Sequence, residues 1–322
     1  MSAAPILRIR GLRTQFPAEH GTVRAVDGVD LDVRRGECLG VVGESGSGKT
    51  VTFLSALGLV PPPGRVEAER IEWKGRDIAH LGAGLRALRG REIALTMQDA
   101  LTALNPALTI GTQITEALAA HGDVRTAGRR RARAAELLRL VGIAEPQRRL
   151  RAYPHELSGG MRQRAMIAVS LACGPKLLIA DEPTTALDVT VQAQVLELLS
   201  DLRAKLDMSL VLITHNLAVV AEHCDRIVVM YAGQVVETGP ASRVIASPRH
   251  PYTAGLLASL PALERPDIAL KPIPGRPPDP MHWPTGCRFA ERCGARQQAC
   301  LAPQPMRALD EAEVRCVLAD RA

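Results

Sequence analysis

Aromatic side chains are scarce in this sequence: two Trp, three Tyr and three Phe among 322 residues. Proteins that bind single-stranded nucleic acid stack bases on aromatic rings. A chain with eight such rings fits that class poorly, despite its formal net charge of +6. Long apolar runs are also missing. No stretch approaches the roughly 18 uninterrupted apolar residues that cross a bilayer, although the hydrophobic content of 46% is ordinary for a globular protein. The first ten residues lack the apolar core of a signal peptide, which predicts a chain that stays in the cytosol. No repeat recurs at a period of 20–50 residues. The arginine run Arg129-Arg130-Arg131 with Arg133 opens a helical pattern and reads as a solvated basic face.

What the sequence does contain begins with an apolar run, Cys38–Gly43, which leads into Gly43-Glu44-Ser45-Gly46-Ser47-Gly48-Lys49-Thr50. That octet matches G-x-x-x-x-G-K-[ST], and a helical stretch, 49–59, follows it. Strand, glycine loop and helix is the order a phosphate cradle needs. The glycines let backbone N–H groups turn toward phosphate oxygens, Lys49 reaches the β- and γ-phosphates, and the Thr50 hydroxyl is placed on magnesium. A second apolar strand, 177–180, ends in Asp181 and Glu182. The first carboxylate suits magnesium, through water. The second is placed to orient or deprotonate an attacking water. A third apolar run, 210–213, leads through Thr214 into His215, and Val191–Leu206 between the last two runs has helical spacing. Apolar strands separated by helices predict an α/β fold with a parallel sheet. Residues 105–172, rich in Ala, Leu and Arg, read as a helical subdomain inserted into that core. Gln98 and His215 say little by themselves, since a lone Gln or His is more often a surface or core residue.

The set Gly43–Thr50, Gln98, Leu157–Arg164 (Leu-Ser-Gly-Gly-Met-Arg-Gln-Arg), Leu177–Glu182, Ala186-Leu187-Asp188 and His215, in that order, resembles an ABC-transporter ATPase subunit over about residues 6–260. The resemblance implies a P-loop NTPase cassette: a RecA-like parallel sheet core, an antiparallel β portion, and a helical subdomain at about 100–172. It implies that ATP and Mg2+ are bound and ATP is hydrolysed. Gln98 would be the glutamine that touches magnesium and water and senses a membrane partner. Ser158, Gly159 and Gly160 would form the signature loop, Asp188 would lie in the D-loop, and His215 would be the switch histidine. Ser158 is a good helix N-cap, and glycine amides at a helix start make an anion site. One chain then carries two anion sites for one γ-phosphate. In the family, head-to-tail pairing resolves this, so the active species is expected to be a dimer. One departure concerns the adenine. The family places an aromatic ring before the phosphate loop, but in Thr22–Asp27 the residue near that place is Val23. Phe16 is one substitute; apolar contact alone is the other.

From Gly239 onward the composition changes. Thirteen of the 23 prolines lie there, and so do four of the seven cysteines: Cys287, Cys293, Cys300 and Cys316. This predicts an irregular, separately stabilised extension at 261–322 behind a cassette at 1–260. Cys38, Cys173 and Cys224 fall in core-like segments and are expected to be small buried hydrophobes. Disulfides are unexpected in a cytosolic ATPase. By spacing alone, the four tail thiols suit zinc or an iron–sulfur cluster equally, and paired C-x-x-C knuckles are absent. Arg249–Thr253 and Gly286–Cys293 resemble the C-terminal extension of oligopeptide/dipeptide-type ABC ATPases, some of which carry a [4Fe-4S] cluster on such cysteines. That resemblance favours the cluster over zinc and over four unligated thiols.

The resemblance further implies the D-type ATPase subunit of a bacterial di- or oligopeptide importer. It would pair with an F-type sister beneath two permeases on the cytoplasmic face of the inner membrane, fed by an external binding protein, with no nucleic-acid partner. Nickel, glutathione or another small solute is the alternative cargo. A soluble ABC ATPase acting on DNA or ribosomes is a remoter alternative, since the sequence has neither a second cassette nor a long coiled coil.

Overall fold

In the computed structural model, the described residues are 4–80, 82, 84–121, 124, 126–185, 187–259 and 272–319. They fall into two compact units, Met1–His80 with Ile213–Ala322, and Leu81–Leu212.

The first unit holds the phosphate loop and the tail. Its antiparallel sheet is built on the long strand Pro5–Ala18, flanked by Gly21–Arg34 on one side and Arg70–Trp73, then Arg76–Asp77, on the other. The strands alternate: Ile9, Leu12, Val26, Val29 and Val33 are fully buried while intervening Arg and Asp reach solvent, as a one-sided sheet requires. A second sheet places Cys38–Val42 parallel to Arg226–Tyr231, followed by Gln234–Pro240, Ala312–Val314 and Arg307–Leu309. Cys38–Val42 is buried at every position. The hairpin joining Arg226–Tyr231 to Gln234–Pro240 turns on Ala232 and Gly233, both at positive φ (48° and 79°), the combination a tight two-residue hairpin uses. The tail expected to be separately stabilised is not a layer apart. Its strand Ala312–Val314 adds to Gln234–Pro240, with Glu237 opposite Val314.

The second unit carries Ile93–Thr96 parallel to Leu177–Asp181, which lies next to Ser209–Thr214 in the sheet. Of the helices in this unit, Gly159–Ser170 packs on Ile93–Thr96, and Ile110–Ala120, Ala127–Leu140 and Val189–Leu206 pack on Gly159–Ser170. In Ala127–Leu140 the buried positions are Ala134, Ala135, Leu137 and Leu138; of the basic run in its first two turns, Arg129 and Arg131 are exposed and Arg130 and Arg133 half-buried. Among the described residues no helix is long and apolar enough to cross a membrane.

Candidate functional site

The phosphate loop follows the buried strand Cys38–Val42 and feeds the helix Lys49–Ala56. Gly43 has φ 153°, and a Cβ there would lie 2.1 Å from the Met230 carbonyl oxygen; no other residue fits. Gly48 and Gly46 also have positive φ, and a Cβ on Gly46 would meet nothing within 4 Å. That side of the loop is open. Lys49 is 6% exposed, and its ammonium donates to the carbonyls of Gly43 at 2.8 Å and Glu44 at 3.0 Å. The cation is thereby folded over the loop whose amides suit phosphate. Gly233 N–H bonds the Ser47 carbonyl, which ties the loop to the hairpin turn.

The tail also grips this loop. The Arg292 guanidinium forms a two-bond fork with the Glu44 carboxylate at 2.8 and 2.9 Å. It also donates to the Pro274 and Ile273 carbonyls and the Tyr231 hydroxyl. The carboxylate hydrogen bond raises the guanidinium's pKa. Tyr252, fully buried, accepts the Glu44 backbone N–H at 2.8 Å, and burial raises its phenol's pKa. Its ring packs with Tyr231 and Phe289 at centroid distances of 4.5 and 5.4 Å. Three of the eight aromatics are therefore spent fastening the tail behind the phosphate loop. Arg288 adds a pair to Asp27 and a bond to the Ala232 carbonyl. Sequence reasoning missed Tyr252, Arg288 and Arg292 as neighbours of the loop. The available signal was the concentration of rare aromatics at 231–289.

In the second unit, Asp181 ends its strand 4% exposed. Glu182 follows at φ 44°, a left-handed conformation rare outside glycine. Backbone outliers of this kind cluster at functional sites. Gln98 Nε2 donates to Glu182 Oε2 at 3.0 Å, and Thr185 Oγ1 donates to the same oxygen at 2.9 Å. The structure thus brings together Gln98 and Glu182, which are 84 residues apart in sequence. Ser158 caps the helix Gly159–Ser170 through Met161 N, and Asp188 caps Val189–Leu206 through Val191 N. The two caps are neighbours. A Cβ on Gly160 would lie 2.7 Å from Val191, and one on Gly159 would lie 3.4 Å from Leu187. Ser158, Gly159 and Asp188 are solvent-exposed. Ala186 lies outside the described residues.

His215 follows Ser209–Thr214 directly and is exposed, just before the helix Leu217–His223, which Asn216 caps. Cys38 and Cys224 are buried with their sulfurs 3.4 Å apart, whereas Cys173 is only half-buried. In the tail, Cys300 and Cys316 are buried and Cys287 and Cys293 half-buried. Burial pushes the Cys287 thiol up to about 11, with smaller contributions from Cys300, Cys316 and Cys293. The Gln297 and Leu318 amides donate to the sulfurs of Cys300 and Cys316. Among the described residues no three or more His, Cys, Asp or Glu form a group that could hold a metal ion. Phe16 sits against the Val60–Gly64 turn, where a Cβ on Gly64 would lie 2.7 Å from its ring.

Comparison with known proteins gives concordant results. The ABC transporter family matches residues 26–185, and the oligopeptide/dipeptide transporter C-terminal region matches residues 236–300. Dipeptide transport ATP-binding protein DppD of Escherichia coli is 50% identical over 303 residues, covering 93% of this chain and 92% of that protein. DppD of Bacillus subtilis is 46% identical, covering 98% and 95%. An ATP-binding cassette solved as a dimer in a post-hydrolysis state with ADP and Pi superposes with a TM-score of 0.65 at 26% identity, covering 73% of this chain and 98% of that one.

Proposed function

Since this chain belongs to the ABC transporter family, and within it to the oligopeptide/dipeptide type, we propose that it is the ATP-hydrolysing motor subunit of a bacterial di- or oligopeptide importer. The observation that carries the cargo is similarity to dipeptide transport ATP-binding proteins along nearly the whole chain, tail included. The observation that carries the chemistry is the Gln98–Glu182 contact at a strand end in left-handed backbone.

The roles follow from chemistry. Glycine-loop amides at Gly43–Gly48 and the Lys49 ammonium bind the β- and γ-phosphates. The Lys49 bonds to Gly43 and Glu44 exchange for phosphate oxygens without moving the helix that carries it. Thr50 and the buried Asp181 offer the hard oxygen donors magnesium prefers, and the ion would neutralise charge on the phosphates. Glu182 takes the proton of the attacking water, while the Gln98 amide holds its carboxylate in one rotamer. His215, exposed just beyond its strand, steadies the γ-phosphate side. Ser158, Gly159, Gly160 and Asp188, at two adjoining helix starts, serve the nucleotide of a second ATPase subunit in a head-to-tail, F-type heterodimer. ATP binding closes that pair and hydrolysis reopens it, switching two permeases supplied by an external binding protein. This role puts the chain at the cytoplasmic face of the inner membrane.

The assignment of a [4Fe-4S] cluster rather than zinc to the tail thiols rests on the match to the oligopeptide/dipeptide transporter C-terminal region alone. Among the described residues no three or more His, Cys, Asp or Glu are grouped so as to hold a metal ion, and burial raises the pKa of Cys287, Cys293 and Cys316, so the arrangement itself favours neither group. Cys287, Cys293, Cys300 and Cys316 would hold the cluster as a staple for the proline-rich tail.

The test is Glu182→Gln in the assembled importer. The variant binds ATP as the wild type does but loses at least about 100-fold in turnover and ceases uptake of labelled dipeptide. Wild-type hydrolysis by this variant refutes the assignment of the base. Uptake of nickel or glutathione in place of peptides refutes the cargo.

A further inference from the structure

The strand before the phosphate loop presents Val23, and Phe16 is engaged against the Val60–Gly64 turn. Neither offers a free ring to a purine. The tail does. A turn built by Asp279, whose carboxylate accepts Met281 N–H and pairs with His282, delivers Trp283 to this strand. There the indole Nε1 donates to the Arg24 carbonyl at 3.1 Å, and the Arg24 N–H bonds the Pro280 carbonyl at 3.0 Å. Both backbone groups of Arg24, next to Val23, are thus taken by the tail, and the indole is fixed beside the strand.

Trp283 lines two cavities. One it shares with Arg288, whose guanidinium lies 4.6 Å from the ring centroid. The other, of about 280 Å³, is lined by Trp283 together with the glycine loop Glu44–Ser47 and the tail residues Pro277, Pro278, Asp279 and Pro280. That cavity is more apolar than polar, adjoins the open side of the loop at Gly46, and is somewhat smaller than the ~300–1,000 Å³ typical of whole-ligand pockets. It suits a flat heteroaromatic fragment whose charged remainder sits on the loop. We infer that Trp283, with these prolines of the C-terminal extension, forms the nucleobase wall of this chain's own ATP site, replacing the ring the preceding strand lacks. The inference rests on the phosphate-loop reading and adds the tail to the binding site. It makes the extension a determinant of base affinity as well as a structural appendage.

The test uses the full chain and measures Mg-ATP and inorganic tripolyphosphate binding by calorimetry for wild type, Trp283→Ala and Trp283→Phe. Stacking on one ring corresponds to roughly 5- to 150-fold in affinity. We expect Trp283→Ala to weaken Mg-ATP by a factor in that range and leave tripolyphosphate within twofold, with Trp283→Phe recovering most of the loss. Equal losses for both ligands, or none for either, overturn the inference while leaving the phosphate-loop reading intact. Failure of the wild type to bind both ligands would refute the phosphate-loop reading and this inference with it. Because Trp73 is the only other tryptophan, a Trp73→Phe background supplies a second readout. Base-dependent quenching of Trp283 by ATP but not by tripolyphosphate supports the inference, and identical responses overturn it.

Discussion

The Arg292–Glu44 fork makes the tail and the phosphate loop one cooperative piece, and a double-mutant cycle measures how strongly. Arg292 side-chain exposure is 5% and Glu44 exposure 28%. Breaking a fully buried pair by removing one partner costs about 3–5 kcal/mol. Here Glu44 keeps some access to water, so Arg292→Met is expected to cost less, about 2–3 kcal/mol, part of it from the Pro274 and Ile273 carbonyls losing their donor. Glu44→Gln leaves a cation with little solvent, so its cost is at least as large. The double variant removes both charges together, and its cost falls short of the sum by a coupling of about 2 kcal/mol. The assay is urea unfolding of the nucleotide-free chain for all four proteins, with hydrogen exchange over 272–319 to show whether the tail opens first. The coupling should survive 1 M salt, because a pair with so little exposure is weakly screened. Additivity within about 0.5 kcal/mol refutes the claim that the fork is a structural link.

Two more outcomes follow from the tail and its surroundings. His250 is fully buried, accepts Tyr252 N–H, and has its pKa pushed down to about 3 by burial. The unfolded chain therefore binds a proton at pH 5 that the native state refuses, so the contribution is intact above about pH 6.5 and is lost as pH falls. Between pH 7 and 5 this amounts to about 2 kcal/mol. His250→Asn, which keeps a capping acceptor, removes that slope. Glu237 titrates with the opposite sign, since burial raises its pKa, and it is unchanged in the comparison. Equal pH slopes for wild type and variant refute the account. Separately, anaerobically prepared protein is expected to contain about four iron and four sulfide per chain and to absorb in the visible, and Cys287→Ser with Cys316→Ser to lose both. A colourless, zinc-containing preparation refutes the cluster.

The motif-bearing elements were legible because each motif is local. Cys38–Val42 and Leu177–Asp181 formed as strands where their apolar runs stand, and Gly159–Ser170 starts at the serine that caps it. The tail was misjudged in one respect. Its prolines and cysteines suggested short, irregular elements, but composition carries no information about what they pack against. Arg292 meets Glu44 across 248 residues of sequence and Tyr252 reaches the same residue across 208. No periodicity or spacing rule spans such distances. Cys173, expected to be buried like Cys38 and Cys224, is half-exposed, because the helical unit leaves it near the surface.

By itself the sequence determined the motifs and the elements that carry them. A glycine loop with Lys49 and Thr50, a strand ending in Asp181-Glu182 and a serine-capped glycine pair are contiguous, and contiguous residues set their own backbone geometry. Only the tertiary structure decided what surrounds those motifs: Gln98 on Glu182, Arg292 and Tyr252 behind the phosphate loop, and Trp283 beside the strand that lacks a ring. Those pairings are long-range, and their specificity comes from burial and hydrogen-bond geometry that exist only once the chain has closed on itself.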